Sequence, residues 1–179
     1  FPTRRSSDLR LIARLIDPDQ GRICLGDVPV TAQDETTLRR HIACCPQDIW
    51  LFTASLADNL RLADPHASDG QLWQMLDLVG LGDKVRGWPE GLQTWIEEQG
   101  ASLSGGERRR LGLARTLLRH APIVLLDEPT EGLDPASETA LVDAIRNHLH
   151  GKTLIWVTHR AAGIAGFDRI LEMEEGRLL

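Results

Sequence analysis

The sequence predicts an α/β protein: a mainly parallel sheet flanked by helices, with a helical subdomain inserted into it. Three observations carry this. Short apolar runs at residues 41–45, 123–126 and 153–158 alternate with helix-patterned segments, as in strands joined by helical crossovers. Ile123, Val124, Leu125 and Leu126 follow one another without polar alternation, the signature of a parallel strand buried on both faces. Between the first two runs, from about residue 53 to 99, helical periodicity replaces strand signals.

In chain order, Leu11, Ile12, Leu15 and Ile16 mark one face of a short helix over 9–16, stopped by Asp17-Pro18-Asp19-Gln20-Gly21. Residues 22–25 and 28–30 read as strand pieces around Gly26-Asp27. The run 41–45 is a buried strand that delivers Gln47 at its end, and adjacent Cys44 and Cys45 should point to opposite faces. Ser68 or Asp69 caps a helix whose Leu72, Met75, Leu76 and Val79 follow the helical period, with Gly80 and Gly82 ending it. A second capped helix opens at Ser104. Strand 123–126, a helix over 137–149 and strand 153–158 follow, and the tail reads as two short strands around Glu174-Glu175-Gly176.

Composition narrows the class. The 179 residues suffice for one domain with a core and carry a net charge of −6, which argues against a broad nucleic-acid binder. No apolar run approaches the roughly 18 residues of a membrane span, so the piece is expected to be soluble by itself. The opening Phe-Pro-Thr-Arg-Arg-Ser-Ser-Asp lacks the apolar stretch of a secretory signal. Cys24, Cys44 and Cys45 form neither a disulfide framework nor a zinc pattern, and buried free cysteine behaves as a small hydrophobe.

The chemistry concentrates in two segments. In Leu103-Ser104-Gly105-Gly106-Glu107, Ser104 and Glu107 have capping-box spacing, and the two glycines leave the helix N-terminus open to an anion. By itself Ser-x-x-Glu is most simply an ordinary cap. Some twenty residues on, Asp127 and Glu128 sit where an apolar strand ends, the edge at which open α/β sheets bind ligands. Gln47 and His159 end two further apolar runs. If those strands are parallel neighbours, all four side chains face one crevice.

Together these motifs resemble the nucleotide-binding domain of an ABC transporter of the exporter type, a P-loop NTPase-like fold. The likeness runs from about Leu9 to the C-terminus. Leu103 to Glu107 matches its signature, Ile123 to Asp127 its Walker B strand, Cys45-Pro46-Gln47 its Q-loop, Gly132-Leu133-Asp134 its D-loop and Val157-Thr158-His159 its switch histidine. The resemblance implies ATP and Mg2+ as cofactors and ATP hydrolysis as the activity. It implies that Asp127 holds magnesium through water, Gln47 contacts magnesium and the attacking water, Glu128 polarises that water, and His159 meets the γ-phosphate. Ser104, Gly105, Gly106 and Glu107 would serve the ATP of a second cassette paired head to tail, with Asp134 at the seam. Residues 53–118 correspond to the helical subdomain, and Trp50, Leu51 and Phe52 to a patch facing the transmembrane domain. Arg108, Arg109 and Arg110 are read as a solvated helix face, and Trp73, Trp88 and Trp95 as packing residues.

The front departs from the family. A phosphate loop needs G-x-x-x-x-G-K-S/T so that backbone amides wrap the phosphates, and the 179 residues contain none. Residues 1–8 are therefore expected to be foreign to a cassette beginning at residue 9 and lacking its first strand and phosphate loop, which leaves the piece inactive alone. Glu131-Gly132-Leu133-Asp134, Val157-Thr158-His159-Arg160 and Phe167-Asp168-Arg169-Ile170 resemble the CydC-type cassettes of cysteine/glutathione exporters. That implies a heterodimer with a CydD-type partner, at the cytoplasmic face of a bacterial inner membrane, in thiol export linked to cytochrome assembly. Other exporters (lipid, peptide or drug), a non-transport ATPase of DNA repair or translation, and a non-catalytic cassette supporting a partner's ATP are the alternatives.

Overall fold

The computed structural model describes residues 4–160, 164, 166–174 and 177–179. The first helix, α1 (Arg4–Ile12), runs earlier than the expected 9–16, because Arg14 adopts a left-handed conformation (φ 49°) that ends the helical path. Leu9 and Ala13 are buried and Ile12 packs beside them, while Leu15 and Ile16 are exposed, so the core-facing stripe differs from the one expected. Of the segment expected to be foreign, 1–3 lie outside the described residues and Arg4 to Asp8 form the start of α1. A hairpin of β1 (Cys24–Leu25) and β2 (Val28–Pro29) follows, turning at Gly26-Asp27. Next comes α2 (Glu35–His41), where Asp34 accepts from the Thr37 amide at 2.9 Å, and then β3 (Ile42–Cys45).

The segment beyond β3 is mostly helical. A two-residue strand β4 (Ala54–Ser55) leads into α3 (Leu56–Arg61), α4 (Asp69–Leu78) and α5 (Gly82–Arg86), and β5 (Trp95–Ile96) returns antiparallel to β4. Ser68 caps α4 reciprocally with Gln71, and Leu72, Met75, Leu76 and Val79 are its buried face, as the period predicts. Gly80 stops it at φ 70°, a conformation only glycine adopts at no steric cost, whereas Gly82 begins α5 rather than ending α4. Buried Asn59 ties down the entry loop. Its amide accepts from the Phe52 N–H at 2.8 Å and donates to the carbonyls of Phe52 and Ser55 at 2.9 and 3.1 Å.

The glycine-led helix α6 (Gly105–Leu117) packs on β3 and also against α3 and α4, and so is buried on most sides. It is followed by β6 (Ile123–Asp127), α7 (Pro135–His148), β7 (Thr153–Val157) and a closing pair, β8 (Met173–Glu174) with β9 (Arg177–Leu178). Glu175 and Gly176, at the expected turn of that pair, lie outside the described residues. Strands β3, β6 and β7 form a parallel sheet in the order β3-β6-β7, with Cys45 opposite Leu126 and Asp127 opposite Val157. This register brings all three C-terminal ends to one edge.

Side-chain alternation divides the core in two. Ile42, Leu125 and partly buried Cys44, Ile155 and Val157 pack with α1, whereas Ala43, Cys45, Val124 and Leu126 face α6 and the helical segment. The two neighbouring cysteines thus lie on opposite faces, as expected. Burial pushes the Cys44 thiol up to about 11, helped by the Asp127 carboxylate, and the Cys45 thiol up to about 12. Both are protonated hydrophobes at neutral pH.

Candidate functional site

Strand β6 ends in Asp127, which is buried, and the chain then turns at Glu128 with φ 48°. For a non-glycine residue this is an uncommon, strained backbone. The Glu128 amide still donates to the Val157 carbonyl at 3.0 Å, so the ladder to β7 is kept while the side chain leaves the sheet's alternation. Its carboxylate Oε1 lies 2.8 Å from Nδ1 of His159. A carboxylate only accepts, so Nδ1 carries the ring proton. Glu128 is 13% exposed and His159 62%, so a shielded carboxylate meets an accessible imidazole. The second oxygen, Oε2, is buried and has no hydrogen-bond partner among the described residues.

Around this pair the loop to α7 is held from both ends. Asp134 caps α7, accepting from the Ala136 and Ser137 amides at 3.1 Å each, and the Ser137 contact holds its carboxyl below the usual range. Pro135 at the first helical position has no amide to satisfy. Sequence reasoning missed the buried Glu138 in the first turn of α7. Thr130 Oγ1 donates to its Oε1 at 2.8 Å, and Arg160 Nη2 pairs with its Oε2 at 3.0 Å. An acidic residue early in a helix reads as a dipole partner, so no local signal marks this one.

Gln47 lies beside a cleft of about 730 Å³ that Ser104, Gly105, Gly106, Arg109 and Glu131 also line. Asp127, Glu128 and His159 stand at the ends of β6 and β7 along the same sheet edge. Ser104 Oγ accepts from the Glu107 amide at 3.3 Å, and Glu107 Oε2 accepts from the Ser104 amide at 3.0 Å, the expected capping box. Glu107 is also ion-paired to Lys84 of α5, whose ammonium holds the carboxyl below its usual range. Glu107 thus ties the helix start to α5, and Ser104, Gly105 and Gly106 line the cleft beside it.

Two surface expectations need correction. Arg108, Arg109 and Arg110 are half-buried rather than a solvated face. Arg108 donates to the Leu103 carbonyl at 3.1 Å, and Arg109 pairs with Glu131 at 2.7 Å. Of Trp50, Leu51 and Phe52, the aromatics are 56% and 52% exposed, but Leu51 is buried in the helical segment's core. Trp73 and Trp88 pack as expected, Trp73 with the Arg86 guanidinium over its ring, whereas Trp95 is exposed.

Among the described residues no three His, Cys, Asp or Glu side chains converge to enclose a metal. Magnesium bound beside phosphate needs no such cage, because one or two carboxylates, waters and phosphate oxygens complete its shell. Asp127 and Glu128, both shielded and adjacent at a strand end, fit that need. Among the described residues no helix is long and apolar enough to cross a membrane.

A parallel sheet with a helical insert, a capped glycine-rich helix start and a strand-end carboxylate pair beside a histidine make up a fold of the ATP-binding-cassette type. The chain belongs to the ABC transporter family, whose family model, described as ABC transporter, matches residues 5–131. Within it the chain is similar to the glutathione/L-cysteine transport system ATP-binding/permease protein CydC of Escherichia coli (strain K12), 43% identical over 98% of this chain and 30% of that protein. The corresponding CydD of Bacillus subtilis (strain 168) is 39% identical over 97% of this chain and 30% of its own length. The fold matches the structure of a bacterial Atm1-family ABC exporter with ATP bound, with a TM-score of 0.92 and 32% identity over 98% of this chain and 31% of that one. The chain thus spans under a third of the length of these relatives.

Proposed function

We propose that this chain is the ATP-hydrolysing motor domain of an exporter, with Glu128 polarising the attacking water and His159 meeting the γ-phosphate. The observation that carries it is the 2.8 Å contact between Glu128 and His159 at the end of β6. Phosphoryl transfer is mostly positioning and charge stabilisation, so the protein must orient a water and offer donors to phosphate oxygens. Glu128 Oε2 is an unsatisfied acceptor shielded from bulk water, suited to a water proton. His159, fixed by Glu128 at one nitrogen, offers the other to phosphate when the ring is protonated. Bound magnesium would offset phosphate charge, with Asp127 and Gln47 as the groups that face it. Ser104, Gly105 and Gly106 would cover the ATP of a second cassette, and Asp134 would lie at the seam.

Thiol export is the cargo we infer, supported by the similarity to two glutathione/L-cysteine transport proteins. It carries with it a CydD-type partner, a transmembrane domain and a place on the cytoplasmic face of the inner membrane. The test of the motor reading is Glu128→Gln in the complete transporter that carries this cassette. ATP binding is expected to persist while turnover falls by about a hundredfold or more; near-normal turnover would refute the assignment.

A further inference from the structure

Beyond the expected site residues, the buried Glu138 and Arg160 form an arrangement that the hydrolytic reading does not use. Past Val157 the chain leaves the sheet, and the last ladder bond to it comes from the Glu128 amide. Among the described residues, His159, two residues on, is anchored through the backbone from the β7 side. On its far side, Arg160 supplies a second anchor. Its Nη1 donates to the carbonyls of Leu133 at 2.9 Å and Thr130 at 3.3 Å, while Nη2 pairs with Glu138. Its own amide donates to Thr158 Oγ1 at 3.1 Å. Glu138, 1% exposed, has one carboxylate oxygen against Thr130 and the other against Arg160. A buried carboxylate is tolerated only when its charge is paired, so the guanidinium 3.0 Å from Oε2 has a fixed seat. A planar fork that reaches a carboxylate and two carbonyls at once is a task for arginine and not for lysine.

We propose that Glu138 and Arg160 are positioning residues: a latch joins α7 and the 130–133 loop to the segment after β7, and so holds His159 against Glu128. Neither touches the reacting atoms; both act through His159. The inference rests on the hydrolytic reading only for its catalytic consequence, since the geometric consequence can be measured separately.

In the 179-residue chain, the latch is read by nitrogen NMR of the His159 ring at about pH 8, where the hydrogen bond to Glu128 selects the Nδ1-protonated tautomer. Arg160→Lys, which keeps a cation beside Glu138 but loses the fork, is expected to shift the ring toward the Nε2-protonated form that free imidazole favours. Glu138→Gln, which keeps the shape and removes the charge pair, is expected to do the same. An Nδ1-protonated ring in both variants overturns the latch. In the complete transporter the same Arg160→Lys is expected to lower kcat by about tenfold with KM for ATP within about twofold, as for a lost transition-state interaction. A shifted tautomer with unchanged kcat leaves the latch standing and overturns the catalytic role of His159.

Discussion

Glu128 shows how one residue trades backbone comfort for placement. A left-handed φ costs about 1–3 kcal/mol for a non-glycine residue, and here it lets the amide stay in the ladder while the carboxylate meets His159. Asn59 uses another device, satisfying the backbone of a buried loop with one side-chain amide. Asn59→Ala leaves the Phe52 and Ser55 groups short of partners, and urea melting is expected to register a loss of about 2–4 kcal/mol. The cysteines give a pH signature. Both thiols are raised from an ordinary value of 9.0, so above pH 9 the unfolded chain releases protons that the folded chain keeps. Their contribution is whole below pH 9 and is lost as pH rises toward 11 and 12. Urea midpoints taken between about pH 8 and about pH 10.5 should fall, less steeply in the Cys44→Ala, Cys45→Ala variant.

At the level of elements, α6 couples the glycine-rich start to the Q-loop through a missing side chain. A Cβ on Gly112 would lie 2.3 Å from the Ile49 side chain, two residues beyond Gln47. Gly112→Ala should therefore push the Q-loop outward and destabilise the chain by about 1–3 kcal/mol, with Ile49→Ala restoring most of the urea midpoint. Loss of the Gly112→Ala effect in a wild-type Ile49 background would show that the approach is looser than described. The cap of α6 is a smaller matter; Ser104→Ala is expected to cost about 1 kcal/mol in the same assay. Helix-level expectations held best where caps and period agreed, as in α4 and α6. They slipped at α1, where the stop comes from the conformation of Arg14, whose guanidinium reaches the carbonyls of Val30 and Gln33. A contact to residues sixteen and nineteen positions away leaves no mark in a local period.

For the whole molecule, the 179 residues carry strand-end carboxylates and a glycine-rich helix start but no phosphate-cradling lysine loop. Calorimetry on this chain is therefore expected to give a Kd for ATP weaker than about 100 μM, and micromolar binding would overturn that expectation. The sheet was legible beforehand because burial on both faces forces an unbroken apolar run, and Ile123 to Leu126 is one. The ends of such runs were legible as well, since polar residues there have no core to enter, and Asp127, Glu128, Gln47 and His159 stand at those ends. By itself, then, the sequence determined the parallel strands, the capped helices and the edge where chemistry is placed, all features set by neighbours within a few positions. Only the tertiary structure decided that Glu128 bonds His159, that Gln47 shares a cleft with the glycine-rich start, that Glu107 pairs with Lys84, and that Glu138 is buried against Arg160. Each is a pairing across many residues, fixed by strand register and packing, and no local pattern of hydrophobicity or propensity records which distant partner a charged side chain will find.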